Sequence, residues 1–196
     1  MKTINRGNST FEVLRTNDYV YIDKTKYLYN LIKDDGSYYF LSRPRRFGKS
    51  LTLSTLESIF KGKRELFRGL YIDSTDYDWK EYPVIHIDFS DITYNSTEGL
   101  KDKIRNNLLF IAGVYGVILP DFYDYDEAFK FLIIELAKRE KVVVLIDEYD
   151  SLLNSNVNNE NIEGIREVLR GFYSVLKASS ANIRFCFITG VTKFSK

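Results

Sequence analysis

Two short clusters of side chains in this 196-residue chain are of the types that polyphosphate chemistry needs. The first is Arg43-Pro44-Arg45-Arg46-Phe47-Gly48-Lys49-Ser50. A polyphosphate is held by backbone N–H groups converging on its oxygens, by the positive end of a helix and by a mobile ammonium. Gly48 lets the backbone approach, Lys49 can reach the terminal phosphates, and the Ser50 hydroxyl can ligate Mg²⁺. Arg45, Arg46, Phe47 and Leu51 complete the stretch that would surround the phosphates, although the two arginines equally suit a solvated loop. The second cluster is Asp147-Glu148, directly after the aliphatic run Val142 to Ile146. Asp147 can hold Mg²⁺ through its water shell, and Glu148 can polarise an attacking water as general base. Either cluster alone has a plain explanation, a basic turn in one case and a charged strand end in the other. Together they point to a nucleotide site.

The loop departs from the pattern G-x-x-x-x-G-K-[ST], because Arg43 stands where the first glycine is expected. Glycine there would permit positive φ, whereas the following Pro44 favours extended geometry at Arg43. The loop must turn by another route.

Elements of a particular kind are needed to position these residues. Tyr38 to Leu41 reads as a short strand ahead of the loop, and a helix from Gly48 to Lys61 follows, burying Leu53, Leu56 and Phe60 and stopping at Gly62. Val142 to Ile146 suits a strand buried on both faces of a parallel sheet, so its carboxylates fall at the edge where open α/β folds bind ligands. Pro83 to Ser90 reads as another strand, with His86 in a core or strand-end role, and Ile183 to Ile188 as a further one, ending in Thr189-Gly190. The Thr189 hydroxyl can act at the site by bonding the attacking water or the terminal phosphate, or it can satisfy its own backbone. Helices are expected after a cap at Asn95, Ser96 or Thr97, carrying Leu100, Ile104, Leu108 and Ile111 inward and weakened by Gly113 and Gly116, over Asp126–Arg139, and over Ile162–Lys177. The alternation predicts a mostly parallel central sheet with helices on both faces, a three-layer α/β fold. A strand lying in sequence between the loop strand and the acidic strand suggests the additional-strand class of P-loop folds, by analogy.

Other stretches are less regular. In the first 36 residues Asp23 can cap a helix that carries Tyr27, Leu28, Leu31 and Ile32 on one face and stops at Gly36. This segment either packs on the core, residues 37–196, or covers a nucleotide base. Lys63 to Tyr82 reads as an irregular connection with packed aromatics, and Leu153 to Asn159 as a mobile loop. The chain stops soon after the strand ending at Gly190, so the nucleotide-binding unit is expected to be incomplete at its carboxyl end.

Composition narrows the field. Hydrophobic content of 44% supports a real core, and a net charge of +1 removes any global electrostatic argument for nucleic acid or membrane. The single cysteine, Cys186, sits in an apolar run and reads as buried, so a reducing compartment is expected. His86 is the only histidine, which leaves no zinc cluster and no Ser-His-Asp or Cys-His arrangement. No signal peptide or membrane span is legible, and the expected location is cytoplasmic.

With Arg-Pro-Arg-Arg-Phe-Gly-Lys-Ser, Val-Leu-Ile-Asp-Glu-Tyr-Asp and Phe-Ile-Thr-Gly-Val-Thr-Lys-Phe-Ser in this order, and Tyr21-Ile22-Asp23-Lys24-Thr25 ahead of them, the sequence resembles the bacterial AAA-ATPase-like family over nearly all of its length. That resemblance implies a P-loop NTPase core with ATP and Mg²⁺ as ligands, and Arg43 looks normal for the family. Similar proteins often carry a PD-(D/E)XK-type nuclease domain after the ATPase region, so a nuclease-like effector, fused or separate, is the implied partner and the only route to nucleic acid. A homo-oligomer in which a neighbour's arginine completes the site stays open. The expected activity is Mg²⁺-dependent ATP hydrolysis, with Lys49, Glu148 and Thr189 at the reacting phosphate. The alternatives are a nucleotide-responsive switch that binds ATP with little hydrolysis and an interaction domain with a defunct site.

Overall fold

The computed structural model describes residues 3–4, 7, 10–33, 37–94, 96–154 and 162–191. Gly36, Asn95, the polar run 155–159 and Lys193 to Lys196, singled out above, lie outside the described residues. Among the described residues, four strands form one parallel sheet: β1 (Ser37–Ser42), β2 (Val84–Asp88), β3 (Val142–Asp147) and β4 (Ile183–Gly190). Their order is β1-β4-β3-β2. β4, the last in sequence, is what separates β1 from β3 in space, whereas β2 lies between them only in sequence and forms an edge. The aliphatic run of β3 is buried at every residue, as a strand covered on both faces requires.

Side chains alternate across the sheet. Val143, Leu145, Phe185 and Phe187 join a core that includes Phe11 of α1 (Phe11–Thr16), Leu28 and Ile32 of α2 (Thr25–Ile32), and Leu53, Leu56 and Phe60 of α3 (Lys49–Phe60). Ile85, Ile87, Val144, Ile146 and Cys186 join the opposite core, against α4 (Thr97–Val114), α5 (Tyr125–Ala137) and α7 (Ile162–Ala178). A short α6 (Ser151–Asn154) follows the acidic strand end. Each fully buried Leu or Phe here contributes on the order of 1.5–3 kcal/mol.

Helix starts follow the capping chemistry. Ser96 Oγ accepts from Gly99 N–H at 3.1 Å and opens α4. That helix runs through Gly113, and the chain reverses at Gly116, whose φ is 68°. Asp124 and Glu127 form a capping box, so α5 starts one residue before the expected Asp126 and ends before Arg139. The N-cap of α2 is Lys24 and not the expected Asp23, whose carboxylate one residue earlier accepts from Thr25 N–H (2.8 Å), Thr25 Oγ (2.7 Å) and Tyr71 N–H (2.7 Å). Those bonds tie the start of α2 to the connection Lys63 to Tyr82, which contains two 3₁₀ turns and the packed pair Phe67 and Trp79, with ring centres 5.0 Å apart.

Candidate functional site

β1 delivers the chain to the loop and fixes its first residue. Arg43 N–H donates to the Gly190 carbonyl at 3.1 Å, extending the pairing with β4 beyond Ser42, and the Ser42 hydroxyl donates to the Val191 carbonyl at 2.9 Å. The turn absent at Arg43 is made later, where Arg46 has φ of 67° and Gly48 has φ of 75°. A Cβ on Gly48 would meet nothing within 4 Å, so conformation and not crowding calls for glycine there. Gly48 is the N-cap of α3, and the Thr52 hydroxyl donates to its carbonyl at 2.8 Å.

Lys49 opens the helix and is only 4% exposed. Its ammonium donates to the Arg43 carbonyl at 3.1 Å and the Pro44 carbonyl at 3.3 Å, which holds the charge over the loop. Ser50 is half-buried in the first turn of α3, while Arg45, Arg46 and Phe47 are exposed. Among the described residues, no hydrogen bond or ion pair joins Arg46 to the carboxylates across the sheet edge.

The acidic end of β3 is locked from two sides. Asp147, 2% exposed, accepts from the Thr189 hydroxyl and, at 3.0 Å, from the N–H of Glu148. The Glu148 N–H also approaches Thr189 Oγ at 3.2 Å, and Glu148 has φ of 47°, a left-handed conformation that costs a residue with a side chain about 1 kcal/mol or more. Thr189, fully buried, thus spends its hydroxyl on Asp147, which neither of the two expected uses foresaw.

A third carboxylate, missed in the sequence, completes the row. Asp88 at the end of β2 stands in register with Asp147, and its carboxylate accepts from Ser90 N–H at 2.8 Å. The signal was present in the sequence, since Val-Ile-His-Ile-Asp closes on an acid just as Val-Leu-Ile-Asp does, and parallel strands bring equivalent ends together. Burial pushes the Glu148 carboxyl above the ordinary carboxylate range, Asp147 and Asp88 push it the same way, and Lys49 and Arg45 oppose them. One carboxyl therefore lies within electrostatic range of both the cations of the loop and the acids of the strand ends. A carboxyl moved in that direction is better suited to accept a proton from water.

Beside Gly48 lies a cavity of about 350 Å³. Val20, Tyr21, Ile22 and Lys24 wall it on one side, and Leu51, Thr52 and Thr55 of α3 on the other. The amino-terminal segment thus packs on the core through Phe11 and also encloses space next to the loop. The hydroxyls of Thr52 and Thr55 donate to the Gly48 and Leu51 carbonyls, which leaves a mostly apolar lining of the kind small-ligand sites use.

Among the described residues, no three His, Cys, Asp or Glu side chains form a group able to hold a metal. Mg²⁺ keeps several waters and takes one or two protein oxygens plus phosphate oxygens. Ser50 and Asp147 supply hard oxygen donors of the right kind. No helix among the described residues is long and apolar enough to cross a membrane.

A protein of Azotobacter chroococcum mcd 1, described as an uncharacterized protein in the vnfD 5' region, is 41% identical over 195 residues, covering 97% of this chain and 37% of that protein. The chain therefore spans well under half the length of this relative. No solved structure matches. A family model described as predicted AAA-ATPase matches residues 5–196, and the chain belongs to that family.

Proposed function

We propose that the chain binds ATP with Mg²⁺ and hydrolyses it, passing the nucleotide state to a fused or separate effector. The observation that carries this reading is the meeting of loop cations and strand-end acids at Glu148. In this reading Lys49, the amides around Gly48 and the arginines Arg45 and Arg46 hold the polyphosphate, with Phe47 and Leu51 flanking it. The cavity walled by Tyr21 and Thr52 receives the base. Ser50 and Asp147 would hold Mg²⁺, and the chemistry the ion would supply when bound is neutralisation of charge on the transferred phosphoryl group. Glu148 takes a proton from the attacking water, and Thr189 is a positioning residue that fixes the Asp147 carboxylate. The placement of β4 between β1 and β3, with helices on both faces, supports the three-layer, additional-strand class of P-loop folds.

A second reading, a switch that binds ATP with little turnover, is favoured by one observation. The Thr189 hydroxyl is engaged by Asp147 instead of being free for a water or phosphate. Calorimetric titration with MgATP and a phosphate-release assay on the wild type, Lys49→Ala and Glu148→Gln separate the readings. Hydrolysis requires Lys49→Ala to lose affinity and Glu148→Gln to retain it while turnover falls on the order of 10²-fold or more. Tight binding with no release by the wild type selects the switch, and equal release by all three proteins overturns the ATPase assignment. Cytoplasmic residence belongs to the same proposal: Cys186 is fully buried, and burial pushes its thiol up to about 12, which marks a core residue without a disulfide.

A further inference from the structure

On the far side of β3 from the loop strand, among the described residues, the sheet ends at β2. Two contacts fix which of its backbone groups face outward. Val143 N–H donates to the Pro83 carbonyl on the β3 side. The Tyr115 hydroxyl meets both the N–H of Val84, at 2.7 Å, and its carbonyl, at 3.1 Å. Backbone groups of every second residue point the same way along a strand, so those of His86 face outward like those of Val84. Tyr115 thus covers one pairing position of the edge, and the next, at His86, opens into a groove of about 320 Å³.

The walls of that groove have a definite chemistry. On the α3 side Glu57 is already engaged, ion-paired with Lys61 at 2.6 Å and hydrogen-bonded with His86 Nδ1 at 2.8 Å. At the carboxyl end of β2, Asp88 and Asp91 line the groove, and no described cation pairs with either. On the α4 side Phe110 is 74% exposed and Val114 is 67% exposed. Exposed apolar surface beside an open strand edge is what proteins ordinarily cover.

We propose that the β2 edge receives an extended segment of a partner protein that carries lysine or arginine among apolar residues. The segment adds as a strand at His86, its basic side chains reach Asp88 and Asp91, and its apolar side chains lie on Phe110 and Val114. Main-chain bonding supplies affinity in such an addition, and the flanking side chains supply selectivity. This surface shares Asp88 with the row of acids beside Glu148, but its assignment does not rest on turnover at the nucleotide site.

Fluorescence anisotropy with a labelled peptide of alternating lysine and valine tests the assignment on the full chain. The expected result is saturable binding that weakens about tenfold or more in Asp91→Lys and in Phe110→Asp, with unchanged unfolding curves. The bound peptide should also slow hydrogen exchange at the His86 amide. A glutamate–valine peptide that binds equally well, binding undiminished in both variants, or an unprotected His86 amide overturns it. So does concentration-dependent dimerisation in sedimentation that Phe110→Asp abolishes while the peptide fails to bind, since the occupant is then a second copy of the chain.

Discussion

The Thr189 hydroxyl donates to Oδ1 of Asp147, joining the carboxyl ends of β4 and β3 through side chains where the ladder between them stops. Both residues are buried, Thr189 fully and Asp147 to 2% exposure, so neither has water in reserve. Thr189→Val keeps the shape and removes the donor. Urea denaturation is expected to show a loss of about 1–3 kcal/mol, with Thr189→Ser close to wild type. A Val variant as stable as wild type would mean that the contact contributes nothing.

Gly190 follows at the point where β4 meets the acidic turn. A Cβ there would lie 2.4 Å from Tyr149 Cε1 and 3.0 Å from Asp150 Oδ1. Gly190→Ala is therefore expected to destabilise by about 1–3 kcal/mol through overpacking. Combining it with Tyr149→Ala should cost less than the sum of the two single changes, measured as a double-mutant cycle. Simple additivity would count against the crowding.

The cavity beside Gly48 predicts a separation between base and phosphate recognition. Val20→Trp fills space walled by Tyr21 and Thr52 without changing any residue of the loop. Calorimetry should show ATP affinity reduced by about tenfold or more, the order expected when a contact worth 1.4 kcal/mol is lost, while the affinity for inorganic tripolyphosphate is unchanged. Equal losses for both ligands would place the base elsewhere.

Glu57 predicts a feature of the acid limb. Burial alone would raise its carboxyl, but the hydrogen bond and charge of His86 and the Lys61 ammonium outweigh that and bring it from 4.5 down to about 2. A carboxyl depressed in the folded state contributes stability that is fully present above pH 4.5 and is lost as the pH falls towards about 2. Glu57→Gln should flatten the fall in unfolding free energy over that window, measured by denaturation at a series of pH values. An unchanged slope would remove the ion pair from the account.

Much of this was legible because it is local. The burial of β3 follows from consecutive β-branched residues, the start of α4 from a serine cap, and the loop from Gly48-Lys49-Ser50 itself. What was not legible depends on neighbours distant in sequence. No propensity says that β4 inserts between β1 and β3, and without that order Thr189 cannot be aligned with the Asp147 carboxylate, while aligning Asp88 with Asp147 needs the separate pairing of β2 with β3. The positive φ of Arg46 and Glu148 was equally hidden, since residues with side chains are driven into that region only by the surrounding structure.

The register that pairs Ser37 with Phe185 and Ser42 with Gly190 carries a kinetic consequence. Among the described residues β1 has no sheet neighbour except β4, so a nascent chain released from the ribosome short of residue 183 has nothing for Tyr38 to Leu41 to pair with. Contacts so far apart along the polypeptide form slowly. Assembly of the phosphate loop thus waits on β4, although its residues are synthesised well before those of β4.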